Sequence, residues 1–352
     1  MSDAIYQKLR ERLDRLQGPF PATESGVEIK ILKKLFTPEE AEIVINLSHL
    51  PEAPAAVATR MGKNEADVAA KMEAMARAGS IFRLRTPDGR LLYYAIPFVV
   101  GIYEFHLGSL NRELSELVEE YMPHLRTRWN QSKTKQARVI PIASSVEAGM
   151  KVETYHQVRE LIKKHKRFAV APCICRKEVG LLGGKCDRPI ETCLTFGPGA
   201  DYYIENGIAR EITLEEVFKI LDSAEANALV LSPNNAQMIT NICCCCSCCC
   251  GVLKTLKSLP RPGDEIDSAY QAKIDKDQCT ACGICLERCQ MEAIKEGDSY
   301  EVDLARCIGC GLCVPTCPTE AVSMAPRAEQ KVPPRHYIET TQCILKEKGI
   351  IK

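Results

Sequence analysis

The sequence predicts an α+β chain of several domains, and three observations carry that expectation. Short helical patterns with recognisable caps precede a β-prone hairpin between residues 29 and 106. Helix and strand patterns then alternate around eleven cysteines between Pro172 and Gly251. Near the C-terminus eight more cysteines fall in two matching runs, each spaced C-x2-C-x2-C-x3-C. At 352 residues the chain is long enough for two or three domains with cores of their own.

Composition narrows the function classes. The formal net charge is zero, with 46 basic and 46 acidic residues, so no global field draws the chain to nucleic acid or anionic lipid. Twenty cysteines in a small secreted domain would mean disulfides, but Met1 to Arg12 is a charged helical pattern without an apolar signal core. Metal-ligating thiolates in a reducing cytoplasm are therefore expected. The longest uncharged apolar run, Leu91 to Tyr103, falls short of the roughly 18 residues of a membrane helix, so no membrane insertion is expected.

Residues 1 to 28 read as an N-terminal helical arm, with Ile5, Leu9, Leu13 and Leu16 on one helical face until Gly18-Pro-Phe-Pro stops it. Thr37-Pro-Glu-Glu40 combines an N-cap, a proline at the first helical position and a glutamate at N3, so a helix should run from there to Leu50. A second helix fits Pro54 to Met61, stopped by Gly62. Asn64 caps a third, whose Val68, Met72 and Met75 form an apolar stripe before Gly79. Ile81 to Arg85 and Arg90 to Ala95 then read as strands joined by the turn sequence Thr86-Pro-Asp-Gly89. Three helices and a hairpin make residues 29–106 similar in architecture to a winged helix-turn-helix. A DNA-reading version would put Arg83, Arg85 and Arg90 on phosphates. The third helix opposes this, since Glu65, Asp67 and Glu73 outnumber Lys71 and Arg77 where duplex affinity needs phosphate neutralisation.

Residues 107–265 are read as a helical linker and cysteine-rich middle domain. Gly108 to Tyr121 should be a helix with Leu110, Leu114, Leu117 and Tyr121 on one side, facing the core or forming a homodimer seam. Arg126, Arg128, Lys133, Lys135 and Arg138 then surround the only tryptophan, Trp129. This is either a solvated loop or a docking surface for an acidic partner, this chain's own C-terminal domain included. Cys173 and Cys175 in an extended segment would share a face, and Arg176 and Lys177 would favour their thiolates. With Cys186 and Cys193 they have the number for one tetrahedral or cubane site. Cys243, Cys244, Cys245, Cys246, Cys248, Cys249 and Cys250 cannot all reach one small cluster, because neighbouring side chains diverge in strand and helix alike. Some must pack or support instead. A helix over Glu211 to Ala226, capped by Thr213, and a strand over Ala228 to Leu231 should bring both cysteine groups into one site.

The C-terminal runs are Cys279, Cys282, Cys285, Cys289 and Cys307, Cys310, Cys313, Cys317, the second closed by Pro318. Residues 266–328 thereby resemble the bacterial two-cluster ferredoxins. The resemblance implies two [4Fe–4S] clusters, with Cys279, Cys282, Cys285 and Cys317 on cluster 1 and Cys307, Cys310, Cys313 and Cys289 on cluster 2. Paired zinc sites are the competing reading of C-x2-C. Gln290 departs from the pattern, which has proline there. Pro172-Cys-Ile-Cys-Arg176, Glu191-Thr-Cys-Leu-Thr-Phe-Gly197 and the polycysteine run are similar to ferredoxin-domain proteins of anaerobic bacteria and archaea. That likeness implies redox chemistry and at least one additional iron–sulfur cluster, with non-cubane and double-cluster types open. Residues 329–352 are read as a tail in which Cys343 stands alone.

The expected fold class is thus α+β: a winged-helix-like N-terminal domain, a cysteine-rich α/β middle domain and a two-cluster ferredoxin-like C-terminal domain. The leading function is single-electron transfer between a redox partner protein and the middle domain, as a carrier or as an oxidoreductase subunit. The ferredoxin-like region, with nine acidic and five basic residues from Ile274 to Arg327, would dock on a basic partner. The alternatives are a redox-sensing DNA-binding regulator and a catalytic iron–sulfur oxidoreductase, for which His156, His165 and Asp187 are the nearby acid–base candidates. No G-x-G-x-x-G or G-x4-G-K-[ST] sequence supports a bound nucleotide.

Overall fold

The computed structural model describes residues 2–128, 132–146 and 157–352. Trp129, His156 and the side chains of Arg126 and Arg128 lie outside the described residues. Helix α1 (Ser2–Asp14) buries Leu9 and Leu13, and Leu16 follows them into the core. Helix α2 (Val27–Leu35), not anticipated from the sequence, starts after Gly26 in the left-handed region and buries Val27, Ile31 and Leu32. Helix α3 (Pro38–Asn46) carries the complete Thr37/Glu40 capping box but ends four residues before Leu50, where Ser48 and Glu52 take over the backbone. Helices α4 (Pro54–Met61) and α5 (Glu65–Ala78) end at Gly62 and Gly79, both in the left-handed region. The hairpin β1 (Phe82–Arg85) and β2 (Leu91–Tyr94) completes the block.

After α6 (Tyr103–Phe105), α7 (Arg112–Tyr121) turns Leu114, Val118 and Tyr121 into the N-terminal core, as a core-facing helix does. The block does not stand apart. The Tyr202 hydroxyl donates to the carbonyls of Ala76 and Ile81 at 2.7 and 3.0 Å, and Tyr202, Tyr203, Ala171 and Ile174 join the same apolar core.

The middle region begins with α8 (Val158–Lys163) and is built on one antiparallel sheet. Its strands are β3 (Phe168–Pro172), β4 (Glu191–Phe196), β5 (Arg210–Glu211), β6 (Val230–Pro233) and β7 (Asn241–Cys245), in spatial order β5-β3-β4-β7-β6. Helices α9 (Ile174–Leu181), α10 (Pro198–Glu205) and α11 (Leu214–Ala226) connect them, and α12 (Gly251–Lys257) follows the polycysteine run. One sheet face, through Leu194, Phe196 and Ile242, packs on Val217 and Leu221 of α11. The other face carries Cys193, Cys243 and Cys245 toward the N-terminal block.

The C-terminal region pairs β8 (Tyr270–Ile274) with β11 (Val322–Pro326). Helix α13 (Ile284–Arg288) and the small pair β9 (Ile294–Lys295) and β10 (Glu301–Val302) lie between them. A chain of mixed helix and small sheets results. Residues 138–146 strap the C-terminal region to the middle sheet: Ile140 N–H donates to Leu231, Val139 N–H to Asp267 and Ile142 N–H to Cys310. Gly311 must be glycine, since a Cβ there would collide with Ser145 of the strap and its φ is +74°. The supposed tail forms α14 (Tyr337–Glu347), which buries Ile344 and Leu345 while Lys348 reaches the Leu16 carbonyl at 2.7 Å.

Candidate metal centres

In the C-terminal domain, Gly283 and Gly309 take positive φ between the cysteines and let the loop fold back on itself. Backbone N–H groups meet the sulfurs: Ala293 donates to Cys289 at 3.2 Å, Tyr300 to Cys279 at 3.4 Å and Ala272 to Cys307 at 3.5 Å. Cys289, from the first run, lines a cavity of about 20 Å³ together with Cys307, Cys310 and Cys313 of the second. Cys279 and Cys282 lie close enough to Cys285 for their charges to raise its pKa, after the larger effect of burial.

Nine of the eleven middle cysteines line one cavity, Cys186 and Cys248 being the exceptions, and within the field the thiols fall into smaller groups. Six thiols face one another in the order Cys173, Cys175, Cys250, Cys245, Cys243, Cys193, each close enough to shift the pKa of the next. Local structure explains the gathering. Cys193 and Cys243 are direct partners in the β4–β7 ladder, and Cys245 follows Cys243 on the same face. Cys173 is not in an extended segment with Cys175. It caps α9, and Cys175 sits in the first turn of that helix, which still lets the two thiols meet. Cys250 caps α12, whose Leu253 and Val252 N–H groups face its sulfur.

The tendency to ionise alternates along this series. Hydrogen bonds from Cys175, Cys193 and again Cys175 hold Cys173, Cys243 and Cys250 below the ordinary thiol pKa. Their donors Cys175, Cys193 and Cys245 are pushed well above it. All six line a cavity of about 330 Å³ whose walls include Val99, Val100, Phe105 and Tyr203. Glu104 also lines it, and burial raises its carboxyl pKa to about 8. It accepts the Gly101 N–H at 2.7 Å. Nothing in the local sequence singled out Glu104.

A second group comprises Cys186, Cys246, Cys248 and Cys249, whose sulfurs all lie within 4.8 Å of one another. Burial opposes ionisation of Cys186, but the Arg188 N–H and the thiols of Cys249, Cys248 and Cys246 outweigh it and bring the pKa to about 7. Burial pushes Cys246 up to about 11. Cys244 belongs to neither group. It points into the α11 side of the sheet, buried among aliphatic residues, where burial raises its pKa. The expected set of Cys173, Cys175, Cys186 and Cys193 is therefore divided, because Cys186 lies beyond α9 on the loop facing the polycysteine turn. Cys343, on α14, joins no such group among the described residues.

Ser247, the one interruption of the polycysteine run, meets Gln290, a departure from the ferredoxin pattern. The Gln290 side-chain oxygen accepts the Ser247 N–H at 2.9 Å and hydroxyl at 3.0 Å. Gln290 is buried, and Cys289 precedes it directly. Each residue stood out in the sequence as an exception, but only the fold joins them.

The other candidates are engaged elsewhere. Arg83 is buried against Glu73 and Glu205, Arg85 also reaches Glu205, and Arg90 pairs with Asp88. Arg138 is buried and donates to the Ala236 carbonyl at 3.0 Å, so it belongs to the core and not to a docking surface. His165 stacks on Phe196, and Asp187 is exposed beside Lys185.

Two family models match the chain, each described as a 4Fe-4S dicluster domain, over residues 272–324 and 306–348. The first spans both cysteine runs; the second spans the Cys307–Cys317 run and α14. No curated protein and no solved structure matches. The C-terminal region is a ferredoxin-like iron–sulfur domain. Among the described residues, no helix is long and apolar enough to cross a membrane.

Proposed function

We propose that the chain is an electron-transfer protein, or the electron-transfer subunit of an oxidoreductase, that passes single electrons between a partner protein and a further cluster in the middle domain. The observation that carries this reading is the Gln290–Ser247 contact. It joins the residue after Cys289 to the centre of the polycysteine turn through two hydrogen bonds.

The donor sets fit iron–sulfur clusters. Cys289 shares a small cavity with Cys307, Cys310 and Cys313, which supports that set for one cube. Cys279, Cys282, Cys285 and Cys317 would hold the other, as the ferredoxin pattern implies. Cys173, Cys175, Cys193, Cys243, Cys245 and Cys250 would hold the middle cluster. Six soft donors exceed the four of one cube, which supports a larger or non-cubane cluster there. When bound, such clusters accept and release one electron at potentials set by their thiolates and hydrogen bonds. The chain supplies the shielding, with apolar walls around the six thiols and backbone N–H groups on the ferredoxin sulfurs.

The test is Gln290→Leu in the full chain, with Gln290→Glu retaining the acceptor. Iron and sulfide content should stay unchanged in both. Electron equilibration between the ferredoxin and middle centres, followed by rapid-freeze electron paramagnetic resonance, should slow several-fold only in Gln290→Leu. Equal rates in all three proteins would refute the route.

The 330 Å³ cavity beside the six thiols favours one second reading, a catalytic iron–sulfur site for a small apolar substrate. A winged-helix regulator has less support, since Arg83 is spent on internal carboxylates. It would show salt-dependent binding to duplex that changes on cluster oxidation.

A further inference from the structure

The four sulfurs of Cys186, Cys246, Cys248 and Cys249 are spaced for an ion and not for a cube. Cys186 and Cys248 stand 3.9 Å apart, and Cys248 and Cys249 3.7 Å apart. A tetrahedron with metal–sulfur bonds of about 2.3 Å has edges of about 3.8 Å. Thiolates on a cube each bind a different iron and stand farther apart than thiolates sharing one ion.

The backbone builds this spacing. Cys249 and Cys250 N–H groups both donate to the Cys246 carbonyl, closing a turn that gathers Cys246, Cys248 and Cys249. Cys186 arrives from the loop after α9. Cys248 is exposed and Cys186 half-buried, so an ion can enter from solvent.

Charge is balanced from outside the sulfur set. A divalent ion with four thiolates carries a net charge of −2. Arg188 donates to Cys248 at 3.5 Å and Arg176 to Cys246 at 3.6 Å. Arg176 is buried and held in place by the carbonyls of Pro189 and Cys244. Two guanidinium groups therefore neutralise the site, and such sulfur hydrogen bonds orient and stabilise thiolate ligands.

We propose that Cys186, Cys246, Cys248 and Cys249 bind a single thiophilic ion, zinc or iron, in a tetrahedral thiolate site separate from the six-thiol cluster. It fastens the loop around Cys186 to the polycysteine turn, and through Ser247 it steadies the Gln290 contact. The site stands independently of the electron-transfer reading, because a lone ion brings no sulfide with it.

The experiment measures iron, zinc and acid-labile sulfide per chain in full-length protein prepared without oxygen, for wild type, Cys186→Ser and Cys248→Ser. Each variant should lose one metal ion per chain and no sulfide. Whether that ion is zinc or iron identifies the occupant. In addition, wild type exchanged with cobalt(II) while its sulfide content stays intact should develop the intense thiolate-to-cobalt absorption of a tetrahedral site, which keeps the test open should a variant fail to fold. Unchanged metal in the variants, or loss of about four iron with about four sulfide, would overturn the proposal. So would absence of the cobalt band.

Discussion

Cys244 packs within a run whose neighbours on either side are the proposed ligands. It is buried on the aliphatic face of β7 with Ile242, whereas Cys243 and Cys245 lie on the opposite face with Cys193. Cys244→Ala should leave iron and sulfide unchanged and cost about 1 kcal/mol through a small cavity, read from the denaturation midpoint. Cys245→Ala should instead remove iron and sulfide. The sequence alone announces that seven adjacent thiols must divide, but the division depends on strand register and on where the turn begins. Glu178 gives a pH prediction. Its carboxyl accepts the Tyr103 hydroxyl at 2.6 Å, and burial raises its pKa from 4.5 to about 7. A raised folded-state pKa means the native state binds the proton more tightly. The stabilisation is therefore fully present below pH 4.5 and is lost as pH rises through about 7. Glu178→Gln should flatten this loss, worth about 3 kcal/mol at most, in unfolding curves compared between pH 5 and 8. An unchanged pH slope would contradict the assignment.

Caps and glycines made most N-terminal elements readable. Thr37, Asn64, Gly62 and Gly79 mark helix ends that the structure places as expected. Thr37→Ala should cost about 1 kcal/mol by removing the cap from the Glu40 N–H. Gly62 and Gly79 share a left-handed conformation but differ in surroundings. Nothing lies near Gly62, whereas a Cβ on Gly79 would meet the Phe105 carbonyl oxygen at 2.8 Å. Gly62→Ala should therefore cost about 1 kcal/mol and Gly79→Ala more, about 2–3 kcal/mol, in thermal unfolding. Reversal of that order would count against the packing of the α5 C-terminus on the Phe105 segment. Helix α2 was not legible because it lacks a side-chain cap and its lysines interrupt the apolar pattern. Helix α14 was hidden by the proline-rich approach to it, and its stability comes from contacts with Leu16, Gln17 and Asn235 distant in sequence.

At the scale of the molecule, the ferredoxin-like domain is bound into the chain and not tethered to it. Arg288 reaches the Leu312 and Glu225 carbonyls, and Arg306 the Met291 and Lys257 carbonyls. Residues 138–146 add the strap described above. The C-terminal cysteine spacing made that domain recognisable because ligands there lie close in sequence. The proposed middle centres would draw on Cys173 to Cys250 through a sheet whose strand order does not follow the chain, so cysteine spacing alone does not group these thiols. The central claim is a further iron–sulfur cluster on the six middle thiols. It is tested most directly by acid-labile sulfide per chain, measured on oxygen-free protein for wild type and the double variant Cys245→Ser/Cys250→Ser. The prediction is clearly more than eight sulfides in wild type, falling to about eight, those of two cubes, in the variant. About eight in both proteins would contradict it and leave the six thiols without a cluster.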